Sequence, residues 1–193
     1  LLFAFVPQFG AEGVWVSVFT AISAFCNAGF DLFGRFGAYS SLVPYVNNYY
    51  VQAVIMFMIM AGGLGFMVWV ELAEYRKKRR LSLHAKVVLQ FSAIFWVGGA
   101  VLLALLEWSN PRTMGGLSVP GKIMAALFQS VSTRTAGMNT IDLAACSPIS
   151  KLLMSVLQFI GAAPGSTGGG VKVTTFAVLI LTIRSVAQGR DDC

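Results

Sequence analysis

Lys122-Ile123-Met124-Ala125-Ala126-Leu127-Phe128-Gln129-Ser130-Val131 is an apolar run that passes straight into Ser132-Thr133-Arg134-Thr135-Ala136-Gly137-Met138-Asn139-Thr140. A helix of about ten residues is half of the roughly 20 needed to cross a bilayer. The polar segment after it cannot lie against lipid, because its backbone N–H and C=O groups would go unpaired there. The pattern therefore predicts a chain that enters a membrane part way and turns back, with the polar turn lining protein or water.

The flanks fit that reading. On the N-terminal side, Val87 to Leu106 is long enough to span and carries only Gln90 and Ser92 as polar side chains; Glu107 to Gly121, with Asn110-Pro111 and Gly115-Gly116, reads as a loop. On the C-terminal side, Ile149 to Ile183 is apolar but interrupted by Gly161-Ala162-Ala163-Pro164-Gly165-Ser166-Thr167-Gly168-Gly169-Gly170-Val171-Lys172. No regular helix survives such a density of glycine with a proline. One crossing broken at mid-depth and ending near Arg184 and Arg190 is expected.

The first part of the chain repeats the scheme. Trp15 to Phe25 is a short apolar helix, Cys26-Asn27-Ala28-Gly29-Phe30-Asp31 is the turn, and a loop with Pro44 and Asn47-Asn48 leads to a span at Val51 to Val70. Ala28-Gly29-Phe30 falls on Ala136-Gly137-Met138 at an offset of 108, and Gly62-Gly63 on Gly168-Gly169 at 106. Two matches at nearly one offset indicate an internal repeat. Its unit is span, short helix, polar glycine-containing turn, span, with both units in one orientation.

Composition agrees with a membrane protein. Of 193 residues 56% are hydrophobic and 11% charged, against about 25% charged in soluble domains, and the mean hydropathy is +0.74. The net charge is +6, but Arg76, Lys77, Lys78, Arg79 and Arg80, with Lys86, sit between two apolar runs, where the positive-inside rule puts a cytoplasmic loop. That placement favours a topogenic cluster over a nucleic-acid patch. Cys26, Cys146 and Cys193 share no metal or disulfide spacing and read as free thiols; His84 reads as a solvated loop residue. The opening Leu1-Leu2-Phe3, without an initiator Met or leader pattern, is expected to be an internal stretch of a longer protein.

A short helix ending part way down points its unpaired carbonyls and negative dipole end at the membrane centre, which favours a cation. In the turn that follows, glycine permits backbone angles that aim carbonyl oxygens into a pore, where they replace an ion's water. Gly29 and Gly137 are the candidates. Taken singly each also reads as an ordinary tight turn; their matching places in a repeat favour the ion.

Three ordered motifs, Ser23-Ala24-Phe25-Cys26-Asn27-Ala28-Gly29-Phe30, Ser130 to Met138, and Gly165-Ser166-Thr167-Gly168-Gly169-Gly170-Val171-Lys172, resemble the second filter, third filter and intramembrane gate loop of the Trk/Ktr/HKT cation transporters. Arg134-Thr135-Ala136-Gly137 is nearest the Ktr type. The resemblance implies an all-α integral membrane fold of span–pore-helix–filter–span units, potassium-channel-like, with a broken helix in the third. Residues 1–75 would be the second repeat, 76–86 a cytoplasmic basic loop, 87–185 the third repeat with gate loop 161–172, and 186–193 a cytoplasmic tail.

Implied ion-filter residues are Asn27, Ala28, Gly29 and Phe30 with Thr135, Ala136, Gly137 and Met138, holding K+ through backbone carbonyls near Gly29 and Gly137. Implied gate-loop residues are Gly165, Ser166, Thr167, Gly168, Gly169, Gly170 and Lys172. The implied function is potassium uptake across the cell membrane, with no bound cofactor; the alternative is a sodium-selective or cation-coupled carrier of the same superfamily. Implied partners are the lipid bilayer, a second copy in a homodimer and a cytosolic ring of nucleotide-binding subunits, with no nucleic acid.

Several side chains remain open at this level. Lys172 either repels a cation or snorkels to water. Asp31 and Asp142 either concentrate cations at the mouth or are ordinary loop residues. Asn27 and Thr135 occupy equivalent positions and are expected to hold the turns by side-chain hydrogen bonds, while Arg134 is expected to point away and pair with an acidic residue. Gly165 to Gly170 begins like a Walker A loop, but Val171 and Lys172 break that motif. No set of nucleophile, base and oxyanion donors suggests an enzyme.

Overall fold

Regular structure in the computed structural model, which describes residues 1–37 and 40–188, is helical apart from one isolated parallel bridge between Ile160 and Val171. The helices are α1 (Leu2–Phe9), α2 (Glu12–Phe25), α3 (Tyr49–Gly63), α4 (Phe66–Lys78), α5 (Leu83–Glu107), α6 (Val119–Ser132), α7 (Pro148–Phe159) and α8 (Val173–Ala187), with short 3-10 turns at Phe33–Phe36 and Val43–Tyr45. Arg190, Cys193 and the end of the expected tail 186–193 lie outside the described residues.

Among the described residues α5 alone is long and apolar enough to cross a membrane unaided. It starts where Ser82 caps it, the Ser82 hydroxyl accepting from the Ala85 N–H, while both oxygens of Glu71 hold Ser82. Ile94, Val97, Val101 and Leu105 are exposed at the spacing of one helix face, a stripe suited to lipid. On another face α6 comes close. A Cβ at Gly99 would stand 2.4 Å from Ser130 Oγ, and that hydroxyl donates to Trp96 O at 2.8 Å. Small residues and a polar tie at a close crossing are how helices hold each other in lipid.

The short helices are longer than the apolar runs suggest. α6 begins at Val119 because the Ser118 hydroxyl accepts from Gly121 N–H, and α2 begins at Glu12, where Gly13 lies against the backbone of Phe5 in α1. His84 is also not in the loop; it is half-buried in the first turn of α5.

The expected span Val51 to Val70 is not one helix. α3 stops at Gly63, α4 starts at Phe66, and the two are bent by 98°. In a continuous helix Phe66 N–H would bond Gly62 O. Instead Phe66 N–H donates to Gly165 O at 3.2 Å, and Gly62 O accepts from Thr167 N–H at 3.2 Å. Gly63 O accepts from Ala163 N–H at 3.0 Å. The helix has exchanged its own bonds for bonds to a loop a hundred residues away in sequence. That loop separates α7 from α8, and each of these is too short to cross alone.

Three buried clusters hold the helices together. One joins α1, α2, α3 and α6 around Phe5, Phe33, Ile55 and Phe128; a second joins α5, α6 and α7 around Leu103 and Met114. The third gathers Leu64, Val68, Ala85, Val88, Ala163 and Val173, which sets the α3–α4 break and the α7–α8 loop against the first turns of α5. At the opposite end of α5, buried Glu107 accepts from Asn110 Nδ2 (2.7 Å), Thr113 Oγ1 (2.7 Å) and Ser147 N–H (2.8 Å), binding the 108–118 turn and the start of α7 together.

Candidate functional site

The C-termini of α2 and α6 run into two turns of the same construction. Asn27 (φ 49) and Gly29 (φ 73) have positive φ in the first; Thr135 (φ 80) and Gly137 (φ 80) have it in the second, each pair at the offset of 108. Ala28 and Ala136 lie between them without it, so φ alternates in sign along both turns. Positive φ is uncommon for Asn and Thr, and its recurrence at both positions is independent of the residue matches.

Each turn is tied back to its own helix. Ala28 N–H donates to Ser23 O at 2.9 Å and the Ser23 hydroxyl donates to Phe30 O at 2.7 Å. In the second turn Ala136 and Gly137 N–H both donate to Ser132 O, at 3.0 and 3.1 Å, and the Ser132 hydroxyl donates to Met138 O. Sequence reasoning missed Ser23 and Ser132 as closing residues; they stand 109 apart, one residue out of the register of 108, so superposing the repeat does not bring them together.

The two turns touch. A Cβ placed on Gly29 would lie 2.3 Å from Ala136 O, whereas one on Gly137 would meet nothing nearer than 3.9 Å. Gly29 is thus required by space, and at both positions positive φ favours glycine. Phe30 is 69% exposed while its repeat counterpart Met138 is 1% exposed, so the pair is symmetric in backbone and not in surroundings. A cavity of about 540 Å³ opens beside Gly137, with Thr135, Gln129, Lys151 and Ser155 among its lining.

The loop 161–172 lies against the base of this pair. Its neck is closed by Gly161 N–H to Val171 O (2.9 Å) and Val171 N–H to Phe159 O (3.0 Å). At its tip the Thr167 hydroxyl donates to Phe25 O, the last residue of α2, at 2.8 Å, and accepts from Asn27 Nδ2 at 2.9 Å. With Gly62 O and Gly63 O also taken, the carbonyl ends of both α2 and α3 carry donors from this loop. Those ends are where a helix is most negative.

Two cations also turn onto the loop. Arg134, 5% exposed, donates from Nη2 to Gly161 O at 2.6 Å and lies over the rings of Phe95 (5.5 Å) and Trp96 (5.8 Å). The acidic partner expected for it is replaced by a carbonyl and two aromatic faces, a pairing suited to guanidinium. Lys172 Nζ donates to Gly168 O at 2.7 Å, so the half-buried ammonium is tied to the loop itself.

Of the two side chains expected to hold the turns, Asn27 does so through Thr167, while Thr135 Oγ1 is buried without a hydrogen-bond partner and packs beside Gly168. Asp31 and Asp142 each cap a turn two residues on, to Phe33 N–H (2.9 Å) and Ala144 N–H (2.8 Å). Cys26 and Cys146 are free thiols.

The family model for TrkH, a cation transport protein, matches residues 4–192. The potassium/sodium uptake protein NtpJ of Enterococcus hirae is 38% identical over 187 residues, covering 96% of this chain and 40% of that protein. Ktr system potassium uptake protein B of Vibrio alginolyticus is 41% identical over 184 residues, 94% of this chain and 39% of that protein. The crystal structure of the potassium transporter TrkH from Vibrio parahaemolyticus superimposes with a TM-score of 0.70 at 20% identity, over 94% of this chain and 42% of that one. The chain thus spans about two-fifths of the length of the relatives it matches.

Proposed function

Since the chain belongs to the TrkH family of cation transport proteins, membrane-embedded transporters and not enzymes, we propose that it forms the second and third repeats of a potassium-uptake pore whose filter is lined by Asn27–Phe30 and Thr135–Met138. The supporting observation is the pair of turns with positive φ at the same two positions, in mutual contact at the carbonyl ends of two short helices. Alternating φ lets successive carbonyls face one side, which is what a dehydrated cation needs. Serine hydroxyls at the helix ends brace the outer carbonyls, Phe30 O and Met138 O, against inward collapse.

In this reading residues 1–75 and 87–185 are the two repeats, joined by the cytoplasmic loop 76–86, and the exposed flanks beside Phe30 and Gly137 are where the remaining repeats of the ring pack. Loop 161–172 is the gate. Docked, it fills with its own N–H and O–H donors the carbonyl positions that would draw an ion through. Arg134 and Lys172 hold its shape from behind. Opening exchanges those donors for the ion and its water when a cytosolic nucleotide-binding ring changes state, in an assembly completed by a second copy of the chain.

The test is rescue of a potassium-uptake-deficient bacterium by the full-length gene, with and without Gly137→Ser, followed as rubidium or potassium uptake at low external potassium. Rescue that the substitution weakens at equal membrane expression is expected. Unchanged selectivity in the variant would remove the filter from these turns.

A further inference from the structure

The bend at Leu64–Gly65 gives α4 a role that a straight span would not have. α4 leaves the axis of α3 at 98°, so where α3 stands steeply in the membrane α4 runs roughly along the membrane plane. Its depth is set by Val68, which is buried against Ala85 and Val88. Val88 is about 8 Å along α5 from that helix's first residue, at 1.5 Å per residue. α4 exposes Phe66, Met67, Val70 and Tyr75 around its circumference, Trp69 is partly exposed while its indole N–H donates to Ala61 O at 2.8 Å, and the last turn runs into Arg76, Lys77, Lys78, Arg79 and Arg80, all exposed.

The two acidic side chains of α4 do not neutralise this end. Glu71 is occupied by Ser82, and Glu74 pairs with Lys78 at 2.5 Å. Among the described residues Arg76, Lys77, Arg79 and Arg80 have no carboxylate partner, and Lys86 is exposed one turn into α5. A short helix with exposed aromatic rings along its length and an unpaired basic end suits the level of anionic headgroups, where aromatic side chains and Lys/Arg both concentrate.

We propose that α4 is an interfacial helix whose basic C-terminal turn, Arg76 to Arg80 with Lys86, binds the phosphate headgroups of anionic phospholipid. This goes beyond topology, since the positive-inside rule requires charge on one side but no bound lipid. It does not depend on the potassium reading, because it rests on the bend, the exposed aromatic residues and the unpaired charges.

The full-length protein is purified in detergent, offered phosphatidylglycerol and phosphatidylcholine of the same acyl chains in equal amounts, and the retained lipid is measured by native mass spectrometry. The wild type is expected to retain phosphatidylglycerol preferentially and to release it as salt is raised. Arg76→Gln/Arg79→Gln/Arg80→Gln, which keeps Lys77, Lys78 and Lys86 as the topology signal, is expected to lower that preference about tenfold or more; Arg112→Gln, at the other end of α5, leaves it unchanged. Equal retention of the two lipids by the wild type, or retention indifferent to salt, overturns the proposal without any variant. So does a triple variant that keeps its lipid and loses only its response to a cytosolic regulatory protein, which would make this turn a protein-docking surface. Loss of lipid preference with potassium uptake intact, or the reverse, separates this proposal from the filter.

Discussion

Thr167→Val should open the proposed gate without unfolding it. Valine keeps the shape of threonine and removes the hydroxyl that donates to Phe25 O at 2.8 Å and accepts from Asn27 Nδ2 at 2.9 Å. Each such bond is worth about 0.5–1.5 kcal/mol net, and a buried donor left without a partner costs about 1–3 kcal/mol. Asn27 is 8% exposed and its Oδ1 already lacks a partner, so its amide would be stranded. The docked loop should lose about 2–3 kcal/mol, which is roughly 30- to 150-fold in its equilibrium with an undocked state. The backbone ties to Gly62, Gly63 and Phe66 remain, so the loop loosens and is not released. In proteoliposomes of the full-length protein without regulatory partner, basal rubidium flux should rise about tenfold or more in Thr167→Val and stay at the wild-type level in Thr167→Ser. Equal basal flux in the valine variant at equal reconstitution would show that this hydroxyl does not hold the closed state.

Gly29→Ala should impair uptake more than Gly137→Ala at matched membrane expression, since the first adds a clash at 2.3 Å with Ala136 O to the φ strain both share; the reverse order would contradict the contact between the turns. Shortening Gly165 to Gly170 should raise basal flux and blunt its regulation, and a well-folded variant with lower flux would argue that the loop supports the pathway instead of obstructing it. Glu107→Ala removes a carboxylate that three donors share; a loss of about 3–5 kcal/mol is expected, read as a lower melting temperature in detergent, with Glu107→Gln falling between. A melting temperature unchanged in Glu107→Ala would mean that water takes over those donors.

What was legible in the sequence was what hydropathy and local backbone chemistry control. α5 follows from the apolar run Val87 to Leu106, and the polar turn after α6 follows from residues that lipid cannot solvate. The offset of 108 reappears as matched φ signs. The break between α3 and α4 was not legible, because Gly62, Gly63 and Gly65 sit in an apolar run that reads as one span, and the bonds that end it come from Ala163, Gly165 and Thr167. Nothing local to Val51–Val70 carries that information. Arg134 is a similar case: its charge called for an acid, and the tertiary fold supplied Gly161 O with two ring faces. Glu107 gave no signal at all, since one acid at the end of an apolar run looks like a solvated terminus until the turn and α7 close over it.

The abutment of Gly29 on Ala136 O makes the two turns behave like neighbouring stones of an arch. Neither has an aperture of its own; each is stopped by the other, and the spacing of carbonyls is fixed where they lean together. Widening one turn pushes its neighbour, so in the proposed filter ion discrimination would belong to the turns together and not to any single loop. If the two segments are the repeats proposed, this couples them over evolutionary time: any side chain gained at position 29 needs a shift in the backbone at 136, and the segments can diverge in everything except the line along which they touch.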